Sequence, residues 1–166
     1  MNDTFRSLVD DFLKKNHIAI VGYSRKKDQP ANAVFDRFHA NGYDVYAVNP
    51  FPDRFDDQVV YSSLSLLPTI PGAVVIFTPP KETLKILEEC NSLGVKDVWI
   101  HHSIDEGSWS PEAEQYARQN NFNLIPSGCP LMFLSPDFPH RCIKWFLNWK
   151  GMFKVKEAPA SEATIS

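Results

Sequence analysis

The chain has 166 residues, 43% of them hydrophobic, and a formal net charge of −3, so it holds one domain with a real core and is too short for two of ordinary size. The near-neutral balance supplies no overall field for a nucleic acid or an anionic membrane, so any basic site is local. No apolar run reaches the length of a transmembrane helix, and the opening residues, with Asp3, Arg6, Asp10, Asp11, Lys14 and Lys15 interspersed, read as neither a signal nor a transit peptide, which predicts a cytoplasmic protein.

Phe5, Leu8, Val9 and Phe12 recur at helical spacing with Thr4 as a cap, predicting a leading amphipathic helix over residues 4–15 that covers one side of a sheet. Residues 17–21 follow as an almost wholly apolar strand, typical of a parallel sheet buried on both faces. From residue 31 to 41, Val34, Phe35 and Phe38 form one stripe, and Gly42 ends the helix. A second strand covers 44–48. The prolines and polar residues of 51–72 exclude a long element there but allow a short helical turn around 64–67. Strand three is 73–77, the next helix 81–93 with Gly94 after it, strand four 97–101, a helix capped by Ser110 with Pro111 in its first turn, and strand five 123–125. Strands alternating with helices pair in parallel, and right-handed crossovers give an α/β fold with a doubly wound parallel five-stranded sheet, order 3-2-1-4-5. Near the end, Cys142, Trp145, Phe146 and Trp149 fall at i, i+3, i+4 and i+7, predicting an amphipathic helix over 140–150 whose tryptophans bury against the sheet or against a partner. Residues 154–166 are small and polar and read as a disordered tail. The three cysteines, Cys90, Cys129 and Cys142, are odd in number and have no C-x-x-C spacing, so they read as free thiols and not as a disulfide framework or a zinc site.

The chemistry concentrates where the first strand ends. An apolar strand closing on Gly22, then a polar basic loop, then a helix start, is how an α/β sheet presents backbone N–H groups to a phosphate. The further glycines of a dinucleotide fingerprint are missing, and no acidic residue ends the second strand; Asp44 stands at its start, the wrong end to reach a ribose. Arg25, Lys26 and Lys27 instead place positive charge beside the phosphate cradle, as an extra ribose phosphate requires, and both coenzyme A and NADP carry one. The other reading of that run is a solvated turn. Ligands of such sheets sit outside the carboxyl ends of the strands, which selects 22–27, 49–51 and 78–80 by position. Ser24 there is either a phosphate donor or a capping hydroxyl, and Asn49 either lines the site or caps its own turn.

The segment VGYSRKKDQPANAVFDRFHANGYDVYAVNP, followed by VVIFTPP, KDVWIHHS and PSGCPLMF in that order, resembles the stand-alone CoA-binding domain proteins, a Rossmann-like family related to the nucleotide-binding domain of the succinyl-CoA synthetase α subunit. The likeness spans residues 15–134. It implies that Gly22, Ser24 and Arg25 contact the nucleotide phosphates, that Asn49 and Pro50 shape the adenosine side, and that Thr78 and Pro79 line the path toward the pantetheine arm, with Tyr23 also in the cofactor-binding set and Lys27 and Asn32 at further positions of the pattern. The chain departs from that pattern at Ala31, where a glycine is common, and at His101, His102 and Ser103, where glutamine and glycine are. The synthetase phospho-histidine belongs to a separate domain that this chain does not contain, and adjacent strand residues such as His101 and His102 point to opposite faces and do not ligate one ion together. A thiol at Cys129, just past strand five, lies near the same edge.

These readings divide the chain into a CoA-binding Rossmann-like domain (1–134), a C-terminal helix docked on it or on a partner (135–153) and the tail. The function expected is non-catalytic binding of coenzyme A or an acyl-CoA, with no catalytic or metal residue assigned, no nucleic acid and no membrane. The alternatives are an NADP-dependent reductase, or an interaction protein that forms a homo-oligomer or takes a protein partner through residues 140–153.

Overall fold

A computed structural model describes residues 1–51, 58–102, 107–136 and 138–155. The first helix, α1 (Asp3–Leu13), is capped by Asn2, whose side-chain oxygen accepts from the Phe5 N–H at 3.0 Å, so the cap lies two residues before Thr4. Its buried face is Phe5, Val9 and Phe12. The elements that follow are β1 (His17–Val21), α2 (Pro30–Ala40), β2 (Asp44–Val48), β3 (Val60–Tyr61), a 3-10 turn at Leu64–Leu66, β4 (Ala73–Ile76), α3 (Pro80–Ser92), β5 (Asp97–Ile100), α4 (Pro111–Gln119), β6 (Asn123–Ile125), a 3-10 turn at Pro130–Met132 and α5 (Phe138–Trp149). Ser110 caps α4 as the sequence requires, accepting from the Ala113 N–H at 3.1 Å.

The fold is α/β with a doubly wound parallel sheet, and the sheet has six strands in the order β3-β2-β1-β4-β5-β6. Two details of the five-stranded expectation are corrected. Val60 and Tyr61 pair with Ala47 and Val48 as an extra edge strand inside the long connection. The strand beginning at Ala73 lies beside β1 and not at the edge beyond β2. The reason is its composition: all four residues of Ala73–Ile76 are buried and apolar, which suits a central strand, while the short, half-buried Val60–Tyr61 suits an edge.

The sheet is covered on both sides. Ile18 and Ile20 of β1, Val75 of β4 and Trp99 of β5 pack with α1, α2 and α5 in one apolar cluster. Ala19, Val21, Val74, Ile76, Val98 and Ile100 point the other way, into the cluster under α3 and α4. The register makes the carboxyl ends level: Val21 is opposite both Val48 and Ile76, and Ile76 is opposite Ile100. Whatever follows β1, β2, β4 and β5 is therefore delivered to one edge. Asp44 sits at the opposite edge, its carboxylate 2.9 Å from His17 Nδ1.

The C-terminal helix docks by a different stripe from the expected one. Leu147 is buried and Ile143 half-buried against the core cluster, while Cys142, Trp145, Phe146 and Trp149 face outward, the two tryptophans 72% and 74% exposed. After the helix the chain turns back, and Phe153 is fully buried against Phe5 and Phe133 with ring centroids 5.2 and 5.6 Å away. The expected tail falls, from residue 156 onward, outside the described residues.

Candidate functional site

Gly22 closes β1 with φ +101°, its N–H donating to the Val48 carbonyl at 2.8 Å. A Cβ at this position would stand 2.9 Å from the Phe77 carbonyl carbon, so only glycine lets the ends of β1 and β4 approach this closely. Two amide side chains brace the turn that follows. Asn32, 6% exposed on the first turn of α2, accepts from the Ser24 N–H at 2.9 Å and donates to the Ser24 carbonyl at 2.7 Å. Asn49 donates to the Tyr23 carbonyl at 2.7 Å and accepts from the Phe51 N–H at 2.8 Å. The Ser24 hydroxyl accepts from the Lys26 N–H at 3.1 Å, a local turn bond that leaves its own proton available to donate.

Arg25, Lys26 and Lys27 project from this braced turn as exposed side chains, and Pro50 is exposed at the end of β2. The Tyr23 ring turns away from the edge and meets Phe35 of α2 edge-on at 5.1 Å, so this residue meets the edge through its backbone. Burial, with Asp36 adding to it, raises the Tyr23 hydroxyl above its ordinary pKa.

Thr78 lies between β4 and α3, 6% exposed, and its hydroxyl oxygen is buried with no hydrogen-bond partner, the one such side-chain atom found among the described residues. Native interiors seldom leave a buried hydroxyl unmatched, and such an atom calls for an explanation. It lines a crevice of about 290 Å³ together with Gly22, Gln29, Pro30, Ala31 and Pro79, that is, with the starts of α2 and α3. Both helices begin on a proline, and no side chain caps either one. Two helix N-termini, each the positive end of a dipole, thus border the crevice that Thr78 lines.

Next to the crevice is a cavity of about 790 Å³, and Gln29, Pro30 and His101 line both. His101 stacks on Phe77 with ring centroids 4.6 Å apart, and its carbonyl accepts from the Ser108 N–H at 2.7 Å. His102 stacks instead on Trp109 at 6.0 Å, so the two histidines separate as strand alternation requires. Among the described residues no group of three or more His, Cys, Asp or Glu is placed to hold a metal ion. Cys129 is in the wall of the larger cavity, and burial pushes its thiol up to about 11, which keeps it protonated and a poor nucleophile at neutral pH.

The sequence reading omitted Gln29, Pro30, Gly107 and Ser108, and took His101 only as a departure from the family pattern near the pantetheine end; all five border the crevice. The signal for His101 was available, since it follows β5 as Gly22 follows β1. Gly107 packs so closely on the His101 carbonyl that any side chain would clash, a contact between loops that spacing does not reveal.

A glycine-closed strand, an amide-braced basic turn and two uncapped helix starts stand together at the switch point of a doubly wound sheet, the place where such sheets take their ligands. The chain belongs to the CoA binding domain family, whose model matches residues 16–135. Over 116 residues it is 28% identical to an ADP-forming acetate–CoA ligase II of Archaeoglobus fulgidus, an alignment covering 68% of this chain but 17% of that protein, so the chain corresponds to a small part of its curated relative. A hypothetical protein from Pyrococcus horikoshii OT3 superposes with a TM-score of 0.69 at 26% identity, covering 79% of this chain and 92% of that one. At 24% identity, the dinucleotide-forming acetyl-coenzyme A synthetase 1 of Ca. Korarchaeum cryptofilum in its apo form shares the fold, with a TM-score of 0.51 over 63% of this chain and 23% of its own. Among the described residues no helix is long and apolar enough to cross a membrane.

Proposed function

We propose that this chain binds coenzyme A or an acyl-CoA at the crevice and holds it without transforming it. The observation that carries the reading is the buried, unmatched Thr78 hydroxyl beside Gly22 and the uncapped starts of α2 and α3. That donor set suits a diphosphate: bare backbone at Gly22 for close approach, a hydroxyl, and the positive ends of two helices. Arg25 and Lys26 suit the additional ribose phosphate, Asn49 and Pro50 border the adenosine side, and Thr78, Pro79 and His101 flank the route of the pantetheine arm. Asn32 and Asn49 act through the backbone they brace, keeping the turn in a phosphate-ready shape.

Titration calorimetry with coenzyme A, dephospho-coenzyme A, NADP and NAD tests this. Coenzyme A binds and neither nicotinamide nucleotide competes; dephospho-coenzyme A is weaker because it lacks the phosphate that the basic turn would grip. Arg25→Ala weakens coenzyme A by about 1.5 to 3 kcal/mol, the worth of a hydrogen bond to a charged group. A protein that prefers NADP is the reductase of the alternative reading, and one that ignores all four ligands ends the proposal.

A further inference from the structure

We propose that the cavity of about 790 Å³ next to the crevice is an acyl pocket, which receives the aliphatic chain of an acyl-CoA against the inner side of α5. This rests on the coenzyme site proposed above. Sheet order supplies the direction. With the phosphates at the starts of α2 and α3, the adenosine side lies toward β2 and the other end of the ligand runs across β4 toward β5, because β2 and β5 flank the central pair on opposite sides. His101, at the end of β5, lines both the crevice and the cavity, so a ligand arm passing it enters the larger space.

The chemistry of the walls supplies the ligand class. Lys27, Asp28 and His140 are polar, whereas Leu131, Met132 and Ile143 offer an aliphatic surface. Leu131 and Met132 are 6% and 1% exposed, parts of the core cluster that also line this cavity. An acetyl group would leave most of that wall uncovered, and a cavity of this size is in the range that holds a drug-sized ligand. An acyl group that ends in a carboxylate would have to leave water against the aliphatic wall of Leu131, Met132 and Ile143, which costs affinity. Methionine in the wall accommodates chains of differing length, since its unbranched side chain repacks easily.

The test is calorimetry on the full chain with coenzyme A, acetyl-CoA, hexanoyl-CoA and succinyl-CoA. Each buried methylene improves affinity about fourfold, so hexanoyl-CoA exceeds acetyl-CoA by roughly tenfold or more even if part of its chain stays in water. Succinyl-CoA binds no better than acetyl-CoA. Ala33 is an exposed residue of α2 at the cavity wall. Ala33→Trp fills the space, and in that variant the ratio of hexanoyl-CoA to coenzyme A affinity falls to within about twofold of one. Ala33→Asp places a charge at the same point and lowers the ratio likewise should the tryptophan variant not fold. Equal affinity for coenzyme A, acetyl-CoA and hexanoyl-CoA overturns the acyl pocket and leaves the coenzyme site standing. A preference for succinyl-CoA, or a hexanoyl gain that survives both variants, also overturns it. Binding of none of the four removes the coenzyme site itself.

Discussion

The turn after β1 and the helix α5 are both basic, and they use their side chains in opposite ways. In the turn, Asn32, Asn49 and the Ser24 hydroxyl face inward onto the backbone, and what reaches the surface is a shaped run of main chain with three cations. In α5, the aromatic residues that ought to be buried face outward, while Ile143 and Leu147 hold the helix down. The difference teaches that a polar side chain can serve by shaping the neighbouring backbone, as Asn32 and Asn49 do. It also shows that helical periodicity marks a stripe without saying which of two adjacent stripes docks.

The largest expected effect separates the two faces of α5. Leu147→Ala removes a side chain that is 2% exposed and costs about 2 to 5 kcal/mol of stability in urea unfolding. Trp149→Ser, on the outward face, changes stability by no more than about 0.5 kcal/mol. Equal costs for the two would mean that the outer face is covered in solution by another copy or a partner, which sedimentation at two concentrations then separates. No acidic residue lies between Asp137 and Glu157, so a partner seated there meets arginine and lysine around its aromatic contacts.

At the turn, Gly22→Ala is next in size. A side chain at φ +101° is strained before any contact is counted, at roughly 1 to 3 kcal/mol, and the new Cβ presses on Phe77. The variant melts earlier and loses coenzyme affinity together, because the same backbone closes the strand and faces the crevice. Loss of affinity with unchanged melting would mean that the ends of β1 and β4 are not held as close as described.

The cysteines contrast the interior with the outer face of α5. Burial pushes the Cys90 thiol up to about 12 and Cys129 up to about 11, against an ordinary value of 9.0, whereas Cys142 is exposed on α5. Below pH 8 the two buried thiols are protonated whether the chain is folded or unfolded and add no pH dependence. Between pH 9 and 11 the unfolded chain releases their protons and the folded chain keeps them, so stability falls as pH rises. Iodoacetamide at pH 8 labels Cys142 first; early labelling of Cys129 would show that the cavity wall opens.

Much of this arrangement is legible from residue order. The apolar strands, Gly22, Gly42 and Gly94, and the Ser110–Pro111 start are local signals, and each keeps its meaning in the fold. Strand position is not local: whether 73–76 pairs with β1 or with β2 depends on where the intervening 3-10 turn and the short β3 send the chain, and two residues such as Val60 and Tyr61 carry little periodicity. For the site, the basic turn is readable, but the roles inside it are not. Asn32 braces Ser24 across eight residues and Asn49 braces Tyr23 across twenty-six, bonds that exist only once the strand ends stand level. Phe153 is the clearest omission, a single aromatic in a segment rich in lysine that returns to the core beside α1, where the Asn2 N–H donates to its carbonyl at 3.1 Å.

The smallest effect is the most discriminating, because its two readouts move in opposite directions. Thr78→Val keeps the shape of the side chain and removes a hydroxyl that the protein itself does not bond. A buried polar group without a partner is a net cost to the ligand-free fold, so the variant gains up to about 1 kcal/mol in urea unfolding. If the same hydroxyl donates to the coenzyme, the variant also binds it more weakly by about 1.5 kcal/mol, as expected for one lost bond to a charged acceptor. Arg25→Ala in the exposed turn weakens binding without that gain in stability. A Thr78→Val protein with higher stability and undiminished affinity would leave the hydroxyl without a role at the site, and the phosphates would then rest on the helix ends and the basic turn alone.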